Sequence, residues 1–290
     1  MKYLYYIPAL LLAFLACKDD NKEEKKQEYE LENQILKDTV QLQDLDIQSI
    51  DRSIAIELKQ KELIKKEDES EELDELIIEK RYLVEKKDYN INFNYPLLNE
   101  SYKPTHRNFN EFIKDYYVNI TQTESDILKS KLSCDSIAAK IFREERFIDY
   151  KIYSVNEQLI SVLFYKENFY NGAMHPSYSF DCFNFDLNRG VFMKYEDFFN
   201  QGSEEELVDI INESINAKIS KGDMYYDCWE IAPDDFFASK NNFVLNDTYV
   251  EFYFDDCVIC PSYTGTYSIE LPLTDLLSVL KKYDLNPLNF

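Results

Sequence analysis

In the first third of the chain, apolar positions recur at intervals of three, four or seven. From Tyr29 to about Lys66 there is no proline or glycine, and Leu31, Ile35, Leu42, Leu45, Ile50, Ile54 and Leu58 form one stripe, the period of an amphipathic helix. The acidic cluster Glu67 to Glu72 interrupts it. Leu73, Leu76, Ile77 and Leu83 then predict a return helix running to about residue 87, with a β-hairpin over residues 75 to 95 as the competing reading.

Beyond Asp88 the period changes to two. Tyr89 to Tyr95, ahead of Pro96, alternates aromatic or aliphatic with asparagine and predicts the opening strand of a globular domain. Asn108 to Ile120 predicts a helix, with Asn108 and Glu111 in capping-box relation, and residues 124 to 142 predict another. Strands are expected near 147–155, 159–169 and 179–187, the last turning at Asn188-Arg189-Gly190. Ser203 and Glu206 head a helix whose stripe is Leu207, Ile210, Ile211, Ile215 and Ile219, stopped by Gly222. A strand from Tyr249 to Ile259 and a helix from about Pro272 to Tyr283 complete the pattern. The fold class is α+β, an antiparallel sheet with helices packed on it, preceded by an N-terminal helical segment.

The amino terminus has a different texture. Lys2, an apolar run from Tyr3 to Ala16 and a small residue before Cys17 form the pattern of a lipoprotein signal peptide, with Cys17 as the lipidated residue. Phe14-Leu15-Ala16-Cys17 departs from the usual pattern in its bulky residue two before the cysteine. A plain membrane-spanning helix fits less well, because about 20 apolar residues are needed and Lys18, Asp19 and Asp20 end the run too soon. The expected organisation is a signal peptide over 1–16, a charged tether over 17–28, a helical stalk or hairpin over 29–87 and the α+β domain over 88–290. The chain is then expected in the cell envelope, held to a membrane by its lipid anchor.

Composition narrows the function classes. Five glycines in the whole chain leave no room for glycine-rich phosphate-binding loops. A formal net charge of −23 disfavours nucleic acid and anionic lipid surfaces and favours a cationic partner. Besides Cys17, cysteines stand at 134, 182, 228, 257 and 260, so at least one thiol is left unpaired. Cys257-x-x-Cys260 lies in the expected strand, where positions three apart face opposite sides. A local bridge there requires the strand to break near Pro261. Two histidines in the chain leave a zinc site short of ligands, and no cofactor or metal is expected. Asp234-Asp235 and Asp255-Asp256 are pairs that 55 acidic residues make inevitable. The 23 tyrosines and 20 phenylalanines fall mostly at core-facing positions, which assigns them to packing before carbohydrate stacking. His106 lies in a polar loop and carries no functional argument.

One run combines glycine and histidine: Tyr170-Asn171-Gly172-Ala173-Met174-His175-Pro176, followed by Phe183-Asn184-Phe185-Asp186-Leu187. It resembles the Tyr-x-Gly-Gly-Ala-His motif and following Asn-Phe-Asp-Leu strand of the extracytoplasmic domain shared by RsiV-type anti-sigma factors and PdaC-type peptidoglycan deacetylases. Asn90 to Pro96, the aspartate-phenylalanine run before Ser203, and Phe243 to Leu273 extend the resemblance to about two thirds of the chain. Ala173, Met174 and the two cysteines before Tyr263 and Gly265 depart from it. The resemblance implies a binding domain, and in the RsiV-type members its ligand is lysozyme. Lysozyme or a cell-wall component such as peptidoglycan is the expected partner, with Tyr170, Gly172, His175 and Pro176 as a ligand-binding or structural loop. No enzymatic activity is expected. The alternatives are an envelope enzyme acting on glycan through His175, and a coiled-stalk scaffold.

Overall fold

Alternation of apolar and polar residues builds most of what the computed structural model describes, which is residues 75–134 and 141–281. Ile77–Glu85 (β1) and Tyr89–Leu98 (β2) pair antiparallel. Residues 77–85 are thus strand and not the expected return helix: Lys80, Tyr82 and Val84 alternate opposite Tyr95, Phe93 and Ile91, and period two wins over the looser helical spacing. The expected signal peptide, Cys17, the tether and the stripe from Tyr29 to Lys66 lie outside the described residues.

A crossover through two helices follows. His106–Glu111 continues as π-helical Phe112–Val118 (together α1), and Ile120–Leu132 forms α2. The first helix ends two residues before the expected Ile120, the second begins four residues before the expected 124, and it stops at Leu132 and not at 142. Asn119 separates the helices with φ 32°, a left-handed conformation asparagine tolerates, and its side chain accepts the Gln122 backbone N–H at 3.1 Å. The expected Asn108/Glu111 capping box does not form. The Asn108 amide instead donates to the Gly190 carbonyl at 2.8 Å, tying α1 to the turn that carries Gly190. That turn needs glycine: φ is +69°, and a Cβ would lie 2.6 Å from the Thr105 Cβ.

Glu144–Val155 (β3) returns parallel to β2, then Leu159–Phe169 (β4), Ser177–Asp186 (β5) and Val191–Met193 (β6) add antiparallel neighbours. The sheet order is β1 to β6 in sequence. One face of this sheet packs on α1 and α2 through Ile91, Phe93, Val162, Phe164 and Phe185 against Phe109, Ile113 and Ile127.

After the short helix Tyr195–Phe198 (α3), Glu204–Lys221 (α4) and Pro233–Ser239 (α5) lead to a second sheet of Phe243–Leu245 (β7), Tyr249–Tyr253 (β8) and Ser268–Pro272 (β9). Its outer face buries the α4 stripe, Leu207, Ile211 and Ile215, against Phe243, Phe252 and Ile269. Its inner face lays Val244 and Tyr253 on Tyr153, Leu163, Phe180 and Cys182 of the first sheet. Gly222 ends α4 as expected, with φ +80°, but Ser203 does not cap it by side chain. The Ser203 hydroxyl donates to the Asn200 carbonyl at 2.6 Å and meets the Tyr195 hydroxyl at 2.8 Å.

Two further expectations are corrected. The strand from Tyr249 stops at Tyr253 and not at Ile259, because Asp255–Val258 turns (3.3 Å) and Ile259 accepts the Trp229 backbone N–H at 2.9 Å. The closing helix reduces to one 3-10 turn, Leu273–Leu276. Leu273, Leu276, Val279 and Leu280 are all buried, so their helical spacing is real. Beyond that turn, Phe199 pairs with Leu280 and the Asn200 N–H goes to the Val279 carbonyl at 2.8 Å, which draws the backbone out of helix.

On the face of β2 turned away from the helices, Asn90, Asn92 and Asn94 alternate. Their side-chain oxygens are closed to solvent and meet no donor among the described residues. Asn92 pairs with Leu83 on one side and Phe147 on the other. Asn92→Val removes an unsatisfied amide and adds a β-branched neighbour to two apolar side chains. It is expected to raise stability by about 1 kcal/mol or leave it unchanged, read as the urea midpoint; a fall of that size would mean the amide has a partner.

A buried polar network joins the two sheets. Glu251, 3% exposed, accepts the Tyr153 hydroxyl and the Ser268 hydroxyl, both at 2.7 Å, and the Tyr253 hydroxyl lies 2.7 Å from that of Tyr153. Burial first, and the Glu251 charge second, push the Tyr153 and Tyr253 phenols well above their ordinary range; burial likewise raises Tyr165 and Tyr117. A phenol whose folded-state pKa is raised adds stability that is fully present below the unfolded value, about 10, and is lost as pH climbs above it. Urea midpoints should therefore fall steadily above about pH 10. Tyrosinate absorbance should show a late step coincident with unfolding; complete titration near pH 10 with the fold intact would contradict this.

Candidate functional site

The loop Tyr170 to Pro176 is the hairpin connection between β4 and β5, and its two ends behave differently. At the β4 end the Arg146 guanidinium lies over the Tyr170 ring at 4.2 Å and donates to the Phe169 carbonyl at 3.1 Å. Arg146 also pairs with Glu144, a carboxylate buried to 1% exposure. Glu144 further accepts the Ser130 hydroxyl at 3.2 Å and the Asn171 backbone N–H at 3.4 Å. The Asn171 side-chain oxygen accepts the Arg143 N–H at 3.3 Å. Gly172 holds φ +81° within the turn closed by Ala173 N–H to Tyr170 O at 3.0 Å. These contacts make Tyr170 and Gly172 parts of a lock that joins the hairpin to β3 and α2. Past the turn the loop faces solvent: Met174 is 87% exposed, His175 is exposed and Pro176 half-buried. The structure therefore does not gather Tyr170, Gly172, His175 and Pro176 around one ligand position.

A cleft of about 420 Å³ opens elsewhere, alongside β5. Asp181, Cys182 and Phe183 form one wall; Asp235 and Ser239 of α5, Asn241, Asn242, Asp255 and Val258 form the other. β6 pairs only with Asn184 to Asp186, which leaves this stretch of β5 paired with β4 alone, its other edge open. Asn242 closes the gap. Its side chain accepts the Cys182 N–H at 2.8 Å and donates to the carbonyls of Phe180 at 2.8 Å and Tyr253 at 3.1 Å. One amide thus stitches β5 to β8 beside the cleft, while Asn241 accepts the Tyr195 N–H at 2.8 Å.

Three aspartates, on β5, on α5 and in the turn after β8, are among the residues lining this cleft. Asp181 is partly engaged, accepting the Tyr117 hydroxyl at 2.8 Å with the Lys166 ammonium at 3.6 Å. Burial lowers the Lys166 pKa, partly offset by Asp181. Asp235 and Asp255 are exposed. Burial, then the Asp181 and Glu251 charges, pushes the Cys182 thiol well above its usual range, which makes it an unreactive lining group. Among the described residues no three His, Cys, Asp or Glu side chains gather as a metal-binding group. No helix of the described residues is long and apolar enough to cross a membrane.

Reading the sequence set Asp235 and Asp255 aside inside their acidic pairs and passed over Asp181, Asn241 and Asn242 altogether. Nothing in local spacing links residues on β5, α5 and the turn after β8. The asparagine pair between a short helix and a strand was the one available signal, since buried backbone groups at a strand edge need a side-chain partner.

The disulfide also differs from the local possibility. Cys228 bonds Cys260, while Cys134, Cys182 and Cys257 are free. The strand does break, as a local bridge required, yet Cys260 turns to Cys228 beside Trp229, whose indole N–H donates to the Val258 carbonyl at 2.9 Å.

Residues 196–274 match the DUF3298 family. That family is described as a protein of unknown function, and the matched segment carries the α5 side of the cleft, the second sheet and the disulfide. The peptidoglycan-N-acetylmuramic acid deacetylase PdaC of Bacillus subtilis is 24% identical over 149 residues, covering 48% of this chain and 30% of that protein. The chain thus spans less than a third of the deacetylase's length. A DUF3298 family member from Bacteroides fragilis aligns with a TM-score of 0.54 at 16% identity, covering 71% of this chain and 92% of that one. A DUF3298 family protein from Pseudomonas aeruginosa gives 0.50 at 14% identity, over 71% and 93%. The suspected resemblance is upheld, and the fold is that of the DUF3298 structures.

Proposed function

We propose that the chain is an extracytoplasmic, lipid-anchored binding module whose acidic cleft receives a basic group projecting from a cationic protein such as lysozyme. The observation that carries this reading is that Asp181, Asp235 and Asp255 all line one cleft of about 420 Å³ in a chain of net charge −23. A cleft of that size takes a side chain or small ligand, and one sign of charge along low-dielectric walls concentrates the opposite charge. Peptidoglycan or another cell-wall component is the second reading, supported by the similarity to a protein named as a peptidoglycan deacetylase. A catalytic role for His175 has less support, because that residue stands on the exposed hairpin and is not among the residues lining the cleft.

The test is titration of the full chain with hen-type and goose-type lysozymes, and separately with peptidoglycan fragments. Each exposed carboxylate contributes about 0.2–1 kcal/mol, so Asp235→Asn with Asp255→Asn should weaken lysozyme binding by about twofold to thirtyfold. His175→Gln should leave binding unchanged. Loss of binding in His175→Gln with full binding in the double variant would move the site to the hairpin.

A further inference from the structure

We propose that Cys257 is the nucleophile of an internal thiol–disulfide exchange site, attacking Cys260 and displacing Cys228 from the Cys228–Cys260 bridge. Cys257 is free and exposed, three residues from the bridged Cys260. In a continuous strand two such residues would face opposite sides. Here β8 ends at Tyr253 and the chain turns between Asp255 and Val258, so Cys257 and Cys260 are not held on opposite faces of one strand. Cys257 also holds φ 63°, a left-handed conformation that residues with a Cβ rarely adopt, so the turn gains by rearranging.

The surroundings provide a route for the thiol proton. The Cys257 Sγ lies 3.1 Å from the Ser262 Oγ, and the Ser262 hydroxyl donates to the Asp256 Oδ2 at 2.9 Å. A carboxylate only accepts, so the serine hydrogen points to Asp256 and its lone pairs face the thiol. In the exchange, the Cys257 proton passes through Ser262 to the exposed Asp256 carboxylate and on to solvent. The thiolate pair forms a bond to the Cys260 Sγ. The Cys260–Cys228 bond breaks with its electron pair going to the Cys228 Sγ, which takes a proton from solvent. One disulfide exists before and after, and no oxidant is consumed.

The two pairings constrain different lengths of chain. The Cys228 bridge spans a separation of 32 residues, whereas the new one closes a loop of three. Exchange frees Cys228 next to Trp229, which holds the carbonyls of Val258 and Ile259 through its indole and backbone N–H groups. Val258 lines the acidic cleft, so the exchange relaxes one wall of it. Cys182 takes no part, since it is buried under the second sheet.

The experiment holds the full chain without reductant at about pH 6 and at about pH 8.5, where an ordinary thiol is half ionised. Samples are quenched with acid, alkylated with N-ethylmaleimide and mapped as non-reduced peptides. The expected result is alkylation moving from Cys257 to Cys228 at the higher pH as a Cys257–Cys260 peptide accumulates. Cys257→Ser should abolish the change, and Ser262→Ala should slow it about tenfold or more. Among Cys228, Cys257 and Cys260, alkylation of Cys257 alone, with only the Cys228–Cys260 peptide at either pH, would overturn the exchange. An unchanged rate in Ser262→Ala would overturn the relay.

Discussion

Replacing Glu144 with Ala is expected to destabilise the domain by about 3–5 kcal/mol, since it leaves a buried arginine without its counter-charge. The side chains of Arg146 and Glu144 are 10% and 2% exposed. Glu144 also serves the Ser130 hydroxyl and the Asn171 N–H, so three donors on β3, α2 and the hairpin lose their acceptor together. Urea titration reads the effect as a fall in midpoint at constant slope. Replacing both partners with Leu should cost much less than Glu144→Ala, because a buried ion pair exchanged for apolar groups is often neutral. A loss below about 1 kcal/mol for the single variant would show that water reaches the pair. The outcome also tests whether the contacts of Tyr170 and Asn171 lock the hairpin to β3 and α2.

Cys228→Ser should cost about 3–4 kcal/mol, because a bridge closing a separation of 32 residues removes that much chain entropy from the unfolded state. The bridge joins the segment after α4 to the turn after β8, and the turn borders the cleft through Asp255 and Val258. Calorimetric unfolding of the oxidised chain against Cys228→Ser measures the difference. Cys257→Ser, by contrast, removes an exposed free thiol and should shift stability by less than about 0.5 kcal/mol. Equal losses in the two variants would contradict the pairing.

The central strands were legible because alternation is a local signal. Leu159 to Phe169 reads as a strand without knowledge of its neighbours, and α4 announces both its stripe and its stop at Gly222. The elements missed were those whose apolar spacing fits two periods or whose ends depend on distant partners. Ile77, Leu83 and Val84 serve a strand as well as a helix, and only pairing with Leu98, Asn92 and Ile91 decides. Leu276, Val279 and Leu280 are buried as a helix would bury them, but Phe199 and Asn200 draw the backbone into other hydrogen bonds. The cleft was the least visible feature. Its carboxylates come from β5, α5 and the turn after β8, and Asn242 acts on Phe180, Cys182 and Tyr253 at once. No window of sequence contains that arrangement, although the family motif led to a neighbouring hairpin on the same strand.

The most direct test of the binding account is calorimetric titration of the full chain with lysozyme at low and then moderate salt, beside the Asp235→Asn, Asp255→Asn double variant. The account predicts saturable one-to-one binding that survives moderate salt and weakens by about twofold to thirtyfold in the double variant. No binding, or binding that salt abolishes and the double variant leaves unchanged, would contradict a role for the cleft and reduce the charge to a generic acidic surface.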